Sequence, residues 1–149
     1  MPDVEQVKVV FPNETGSETL WADPLPGGKY RLNDIPLWVS GIGLGDEFLA
    51  KSVEGDDRPH FDRVTRRSNN WTYRVILLDT ELKNAAPEIR DLLAQVQANA
   101  QGMTCYEDEY FVYSIPGSID RSIIDGILKR GDSKYYWEYE VSSSPEESW

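Results

Sequence analysis

The stretch Trp71–Leu78, WTYRVILL, together with the chain that follows it to Val141, decides the fold. It alternates at first and then turns solidly apolar, the pattern of a central strand covered on both faces. The period then changes. Pro87–Gln101 is predicted as a helix: Pro87 suits a first turn, Ile89, Leu92, Leu93, Val96 and Ala100 form one apolar stripe, and Gly102 fits the stop. Met103–Tyr106 and Tyr110–Ile115 read as strands joined at Glu107-Asp108-Glu109. Ser118 is placed to cap a second helix with the stripe Ile119, Ile123, Ile127 and Leu128, ended by Gly131. Lys134–Val141 reads as the last strand. Tyr135, Trp137, Tyr139 and Val141 share one of its faces, and Tyr136, Glu138 and Glu140 the other. The order β-α-β-β-α-β is that of the ferredoxin-like split β-α-β. It predicts both helices on one face of a four-stranded antiparallel sheet, with the last strand at an edge beside the first.

Upstream, the signals are those of short strands and turns. Val7–Pro12, Glu18–Leu25, Lys29–Leu32, Phe48–Val53 and His60–Arg67 read as strands, and Pro26-Gly27-Gly28 and Gly55-Asp56-Asp57 as turns. Such spacing predicts a small, strongly bent β-sheet or barrel. The expected fold class is therefore α+β: a small all-β lobe over residues 1–68, a ferredoxin-like α+β lobe over 69–141, and a polar tail over 142–149.

Composition narrows the function classes. The 149 residues include 26 Asp or Glu against 15 Lys or Arg, for a net charge of −11, with His60 and Cys105 the single histidine and cysteine. The acid excess lies at the two ends, since residues 51–82 hold 6 acids and 6 bases. A field of this sign repels nucleic acid and anionic lipid and steers basic partners inward. The first residues, MPDVEQVKVVF, lack the basic region and apolar run of a signal peptide, and no stretch reaches the roughly 18 apolar residues of a membrane span. One cysteine forms no internal disulfide, and the expected location is the reducing cytoplasm.

The stretch from Glu18 to Glu47 carries Leu20-Trp21-Ala22, Gly28-Lys29-Tyr30-Arg31-Leu32, Asn33-Asp34-Ile35-Pro36 and Gly45-Asp46. Together these are similar to the signature of a bacterial family catalogued as domain of unknown function 4265. Arg66-Arg67-Ser68 with Thr72-Tyr73-Arg74-Val75 resembles its next block, and Trp137-Glu138-Tyr139 its end. The resemblance spans about Val7 to Val141. It implies one compact unit built on tryptophan packing, hairpin glycines and a capping Asp, and it brings no reaction, cofactor or catalytic residue with it.

Individual residues offer little chemistry. His60, in Arg58-Pro59-His60-Phe61-Asp62-Arg63, would need Asp62 or Glu54 beside it to act as a proton shuttle, and otherwise reads as a strand residue next to a turn. Cys105 reads as a buried structural thiol. A lone His and Cys build no zinc site, and neither Asp56-Asp57 nor Glu107-Asp108-Glu109 has the oxygen spacing of a calcium loop, so no metal and no cofactor is expected. Gly41-x-Gly43-x-Gly45 runs into Asp46-Glu47 and a strand, the wrong sign and context for a phosphate loop, so its glycines read as turns of positive φ. The basic run Arg58, Arg63, Arg66, Arg67 and Arg74 reads as pairing internally and bracing one lobe against the other.

The acidic and aromatic residues suggest more. Glu107, Asp108 and Glu109 at a hairpin tip, Tyr136, Glu138 and Glu140 on one strand face, and Trp149 in the tail have the composition of a surface that meets a basic protein. The expected function is non-enzymatic capture of such a partner, most sharply as an immunity protein or antitoxin against a bacterial toxin. A rival expectation is a small-molecule-binding regulatory domain using the open face of the ferredoxin-like sheet.

Overall fold

The computed structural model describes residues 5–79 and 87–146. Five strands form the N-terminal unit: β1 (Val7–Asn13), β2 (Gly16–Leu25), β3 (Lys29–Leu32), β4 (Glu47–Val53) and β5 (Asp56–Arg66). Each pairs antiparallel with the next, and β5 returns to β1 in parallel at Val10 opposite His60, which closes the sheet into a barrel. Register shifts between β4 and β5 supply the bending that closure of so few strands demands. Alternate residues point inward: Val9, Phe11, Leu20, Ala22, Leu32, Phe48 and Val64 are buried, and Phe11 packs on Phe48 and Phe61 with centroids 5.2 and 5.1 Å away.

The second unit runs β6 (Asn70–Leu77), α1 (Pro87–Asn99), β7 (Gly102–Tyr106), β8 (Tyr110–Pro116), α2 (Arg121–Ser133) and β9 (Trp137–Ser143). Its sheet has the order β7-β8-β6-β9 with every neighbouring pair antiparallel. The chain is thus α+β, with the last strand at an edge beside the first of its unit. Both helices pack on one sheet face, where Ile89, Leu92, Val96, Ile124 and Leu128 meet Tyr73, Val75, Tyr113, Ile115 and Trp137; in the second helix Ile124 is buried in place of Ile123, which the expected stripe included and which is exposed.

Helix α2 departs from its sequence reading at both ends. Its cap is Asp120, whose carboxylate accepts from the Ser122 amide at 3.0 Å, and not Ser118. Gly131 lies inside the helix and does not end it. A Cβ there would lie on the Trp137 ring, against Cζ2 and Cε2 and 2.7 Å from Cη2, so the glycine serves close packing. Tyr135, exposed and at φ 61°, then breaks the chain direction, and β9 starts only at Trp137. The strand runs to Ser143 and Ser142–Ser144 are buried, so the polar tail expected from residue 142 begins later. The cysteine reading is also corrected: Cys105 is exposed, because β7 is an edge strand and the residue lies toward the hairpin tip.

The connection from β3 to β4, residues 33–46, joins the two units by lying on the sheet face that the helices leave open. Asp46 anchors it. Its buried carboxylate accepts from the Gly43 amide at 2.9 Å, the Ser68 amide at 2.7 Å and Arg67 Nη1 at 3.0 Å. Arg67 also donates to the Gly41 carbonyl at 2.6 Å, and the Gly41 amide donates to the Ser142 carbonyl at 2.8 Å. Arg74, buried on β6, donates to Ser40 Oγ at 2.9 Å and to the Val39 carbonyl. Of the basic run, Arg67 and Arg74 therefore brace the junction. Gly41 and Gly45 sit at φ 84° and 86° as expected, whereas Gly43 is there because a Cβ would come within 2.6 Å of Thr72 Oγ1. Among the described residues, no helix is long and apolar enough to cross a membrane.

Candidate functional site

Residues directly opposite one another in an antiparallel pair share a sheet face. Tyr106 faces Tyr110, Tyr110 faces Ile76, and Ile76 faces Glu138, so these four form one row across the sheet on the side away from the helices. The adjacent row on that side is Thr104, Val112, Arg74 and Glu140. The connecting loop covers Val112 fully but leaves the first row open, where Ile76 is 45% exposed and Tyr106 46%. Trp38, at the crest of the loop and 46% exposed, closes onto this row, stacking on Tyr110 at 5.0 Å and meeting Tyr106 edge-on at 5.5 Å.

Trp38 is held in place from within the chain. The Glu18 carboxylate, on β2, accepts three successive loop amides: Leu37 at 2.7 Å, Trp38 at 3.1 Å and Val39 at 3.0 Å. Tyr110 donates its hydroxyl to the Leu37 carbonyl, and burial pushes that hydroxyl's pKa up, which keeps the donor proton in place. A ring fixed on both sides loses little rotational freedom on binding.

Acids stand at both ends of the row. Glu138 and Glu140 are exposed on β9 and, with Arg74, Ile76, Tyr110 and Tyr139, line an open cleft of about 310 Å³. Glu140 Oε1 is 3.6 Å from Arg74 Nη1 but its side chain stays 65% exposed, a long contact that leaves the carboxylate facing solvent. At the other end Glu107 and Asp108 occupy the two central positions of the β7–β8 turn, at φ 53° and 55°, with the Glu109 amide donating to the Tyr106 carbonyl at 3.3 Å. Two consecutive positive φ values match the right-handed twist of a hairpin. The turn therefore places Glu107, Asp108 and Glu109 beside Tyr106 and Tyr110.

The structure brings five of the seven sequence-predicted residues to one region: Glu107, Asp108, Glu109, Glu138 and Glu140. Tyr136 is not with them. The break at Tyr135 turns it to the helical side, where its hydroxyl donates to Glu88 Oε2 at 2.9 Å in the first turn of α1. Trp149 lies outside the described residues. Trp38, Tyr106, Tyr110 and Ile76 were not singled out by the sequence reading. The alternation of Tyr106 and Tyr110 about the acidic turn was a usable signal, whereas Ile76 sits in a run that reads as buried on both faces. His60 partners neither Asp62 nor Glu54: its Nε2 lies 3.0 Å from Asp56 Oδ2.

Comparison with known proteins gives a family and a fold. The family model described as Domain of unknown function (DUF4265) matches residues 18–139. No curated protein matches the chain. A solved structure, described as a novel crystal structure of a hypothetical protein from Neisseria gonorrhoeae, is similar over 96% of both chains, with 22% identity and a TM-score of 0.75. A likeness at that identity concerns the fold alone.

Proposed function

This chain belongs to the DUF4265 family, and on that premise we propose that it is a non-enzymatic binding protein that captures a basic protein partner on the open sheet face. The sharpest form of the proposal is an immunity protein or antitoxin, acting in the cytoplasm, whose carboxylates occupy the cationic cleft of a bacterial toxin. The observation that carries it is the aromatic cluster Trp38, Tyr106 and Tyr110, continued by the exposed Ile76, with carboxylates at both ends. Exposed, preorganised aromatic rings supply the central anchors of an interface, and surrounding charge sets the encounter rate and the choice of partner. In this reading Glu107, Asp108, Glu109, Glu138 and Glu140 stand in for substrate phosphates, and Trp38 and Tyr110 take the anchoring role that Tyr136 cannot.

The architecture behind the proposal is a ferredoxin-like unit over residues 69–141 serving as platform, with the all-β lobe over 1–68 supplying Trp38. The sheet order β7-β8-β6-β9, fully antiparallel, supports the ferredoxin-like reading. The test is binding of the purified toxin-like partner by wild type and by Glu138→Lys/Glu140→Lys. Charge reversal is expected to weaken association at least tenfold at 50 mM salt, while 500 mM salt weakens the wild type to a similar level. Association indifferent to both would refute the proposal. The cleft beside Arg74 favours a second reading, a small-molecule-binding regulatory domain on the same face; a metabolite that raises the melting temperature without any protein partner would support it.

A further inference from the structure

The barrel carries a second cleft, of about 440 Å³, along the seam where it closes. There His60 stands opposite Lys51 on β4 and opposite Val10 on β1. Ser17, Asp56, Arg58 and Phe61 complete its working wall. Asp56 organises the site. Its carboxylate accepts from the Arg58 amide at 2.9 Å, Arg58 Nε at 3.1 Å, Arg58 Nη2 at 3.0 Å, and lies 3.0 Å from His60 Nε2. The hydrogen bonds from the Arg58 side chain and amide, then that from His60, hold the Asp56 carboxyl well below the usual carboxylate range.

Asp56 therefore remains ionised and is occupied in orienting two of its neighbours. It neutralises one positive charge of the pair Lys51 and Arg58, and the other has no opposite charge in the cleft wall. Arg58 Nη1 reaches only Thr19 Oγ1, at 3.4 Å, and Lys51 makes no ion pair among the described residues. In a chain of net charge −11, a cleft with this surplus is a local reversal of sign. The outer edge of the Arg58 guanidinium, a lysine and the Ser17 hydroxyl are donors of the kind that receive a phosphoryl group, and the imidazole stands beside them. A cavity of this size with Phe61 as one wall exceeds what a bare phosphate needs and leaves room for an organic remainder.

We propose that this cleft binds the phosphate group of a small phosphorylated ligand, with Lys51 and Arg58 as its charge partners, Ser17 as a hydrogen-bonding group, His60 as its neighbour, and Asp56 as the residue that positions Arg58 and His60. Asp56 leaves one surplus positive charge, and the tetrahedral oxygens of a phosphate serve Lys51, Ser17 and the outer edge of the Arg58 guanidinium at once, more donors than the two oxygens of a carboxylate can take, which assigns the site to phosphate. The site is independent of the acidic face, and neither reading requires the other.

The experiment is a titration of the full chain with inorganic phosphate at fixed ionic strength, made up with chloride, following the imidazole proton resonances of His60 by NMR. Because the chain has one histidine, those signals report this cleft alone. A saturable shift is expected with phosphate, weakened about tenfold in Lys51→Ala and in Arg58→Gln, and much smaller with acetate at the same concentration. Lys51 is exposed on β4, so its truncation leaves the barrel core untouched. No saturable response, an unchanged response in Lys51→Ala, or an equal response to acetate would each overturn the assignment.

Discussion

Two glycines of helix α2 should respond to the same substitution with opposite signs. A Cβ at Gly126 meets nothing within 4 Å, so Gly126→Ala removes backbone freedom from the unfolded chain and should stabilise by about 0.5–1 kcal/mol. At Gly131 the same gain is available, but the methyl falls on the ring of Trp137, which is fully buried and donates its indole N–H to the Leu128 carbonyl at 3.0 Å. Ordinary carbon contacts lie near 3.5–4.0 Å, so the ring must retreat by about 1 Å or more. Overpacking of this kind costs about 1–3 kcal/mol, and a buried donor left without its acceptor costs about 1–3 kcal/mol more. Gly131→Ala is therefore expected to lose about 3 kcal/mol net, which for a chain of this size lowers the melting temperature by roughly 6–12 °C. Gly126→Ala should raise it by about 1–4 °C. Urea and thermal denaturation followed by tryptophan fluorescence read both. A Gly131→Ala protein at least as stable as wild type would refute the packing argument.

Asp46→Ala should leave Arg67 buried without its carboxylate and two amides without their acceptor, at a cost of about 3–5 kcal/mol measured by urea unfolding. Glu88 accepts from Lys134 and from Tyr136, and the Lys134 hydrogen bond first, then that of Tyr136, hold its carboxyl below its ordinary 4.5. A folded-state value below the unfolded one gives stability that is present above pH 4.5 and lost as pH falls through the folded value. Glu88→Gln should therefore melt below wild type at pH 7, with the gap shrinking as the pH falls below 4.5 and through the folded-state value; a gap independent of pH would contradict the assignment. Cys105 should react with a bulky aromatic disulfide in the native protein at the rate of an exposed thiol, a reading that slow, unfolding-limited labelling would overturn.

The sequence revealed the fold wherever periodicity is set by one layer of burial. Both helices, the hairpin around Glu107-Asp108-Glu109 and the five barrel strands follow from alternation and turn residues. It misled where a residue answers to a distant neighbour. Gly131 has the position of a helix stop, yet Trp137 is what requires it. Tyr136 keeps strict alternation with Glu138, yet the positive φ of Tyr135 turns it to the helices. Ile76 lies in an apolar run that suggests burial on both sides, but its second face is left open by the lateral reach of the 33–46 loop, which no local pattern encodes. The acids of the candidate face were legible because charge needs no fold to be noticed. Their aromatic partner Trp38 was not, because it is brought to them by the other unit, through the three amides that Glu18 holds.

The most direct test of the capture proposal is affinity isolation from the native cells with wild type and with a Trp38→Ala/Glu138→Lys/Glu140→Lys face variant in parallel, at 50 and 500 mM salt. One basic protein should be retained by wild type at low salt, depleted at high salt and absent from the variant. A partner that survives both the salt and the substitutions, or no partner at all, would contradict it.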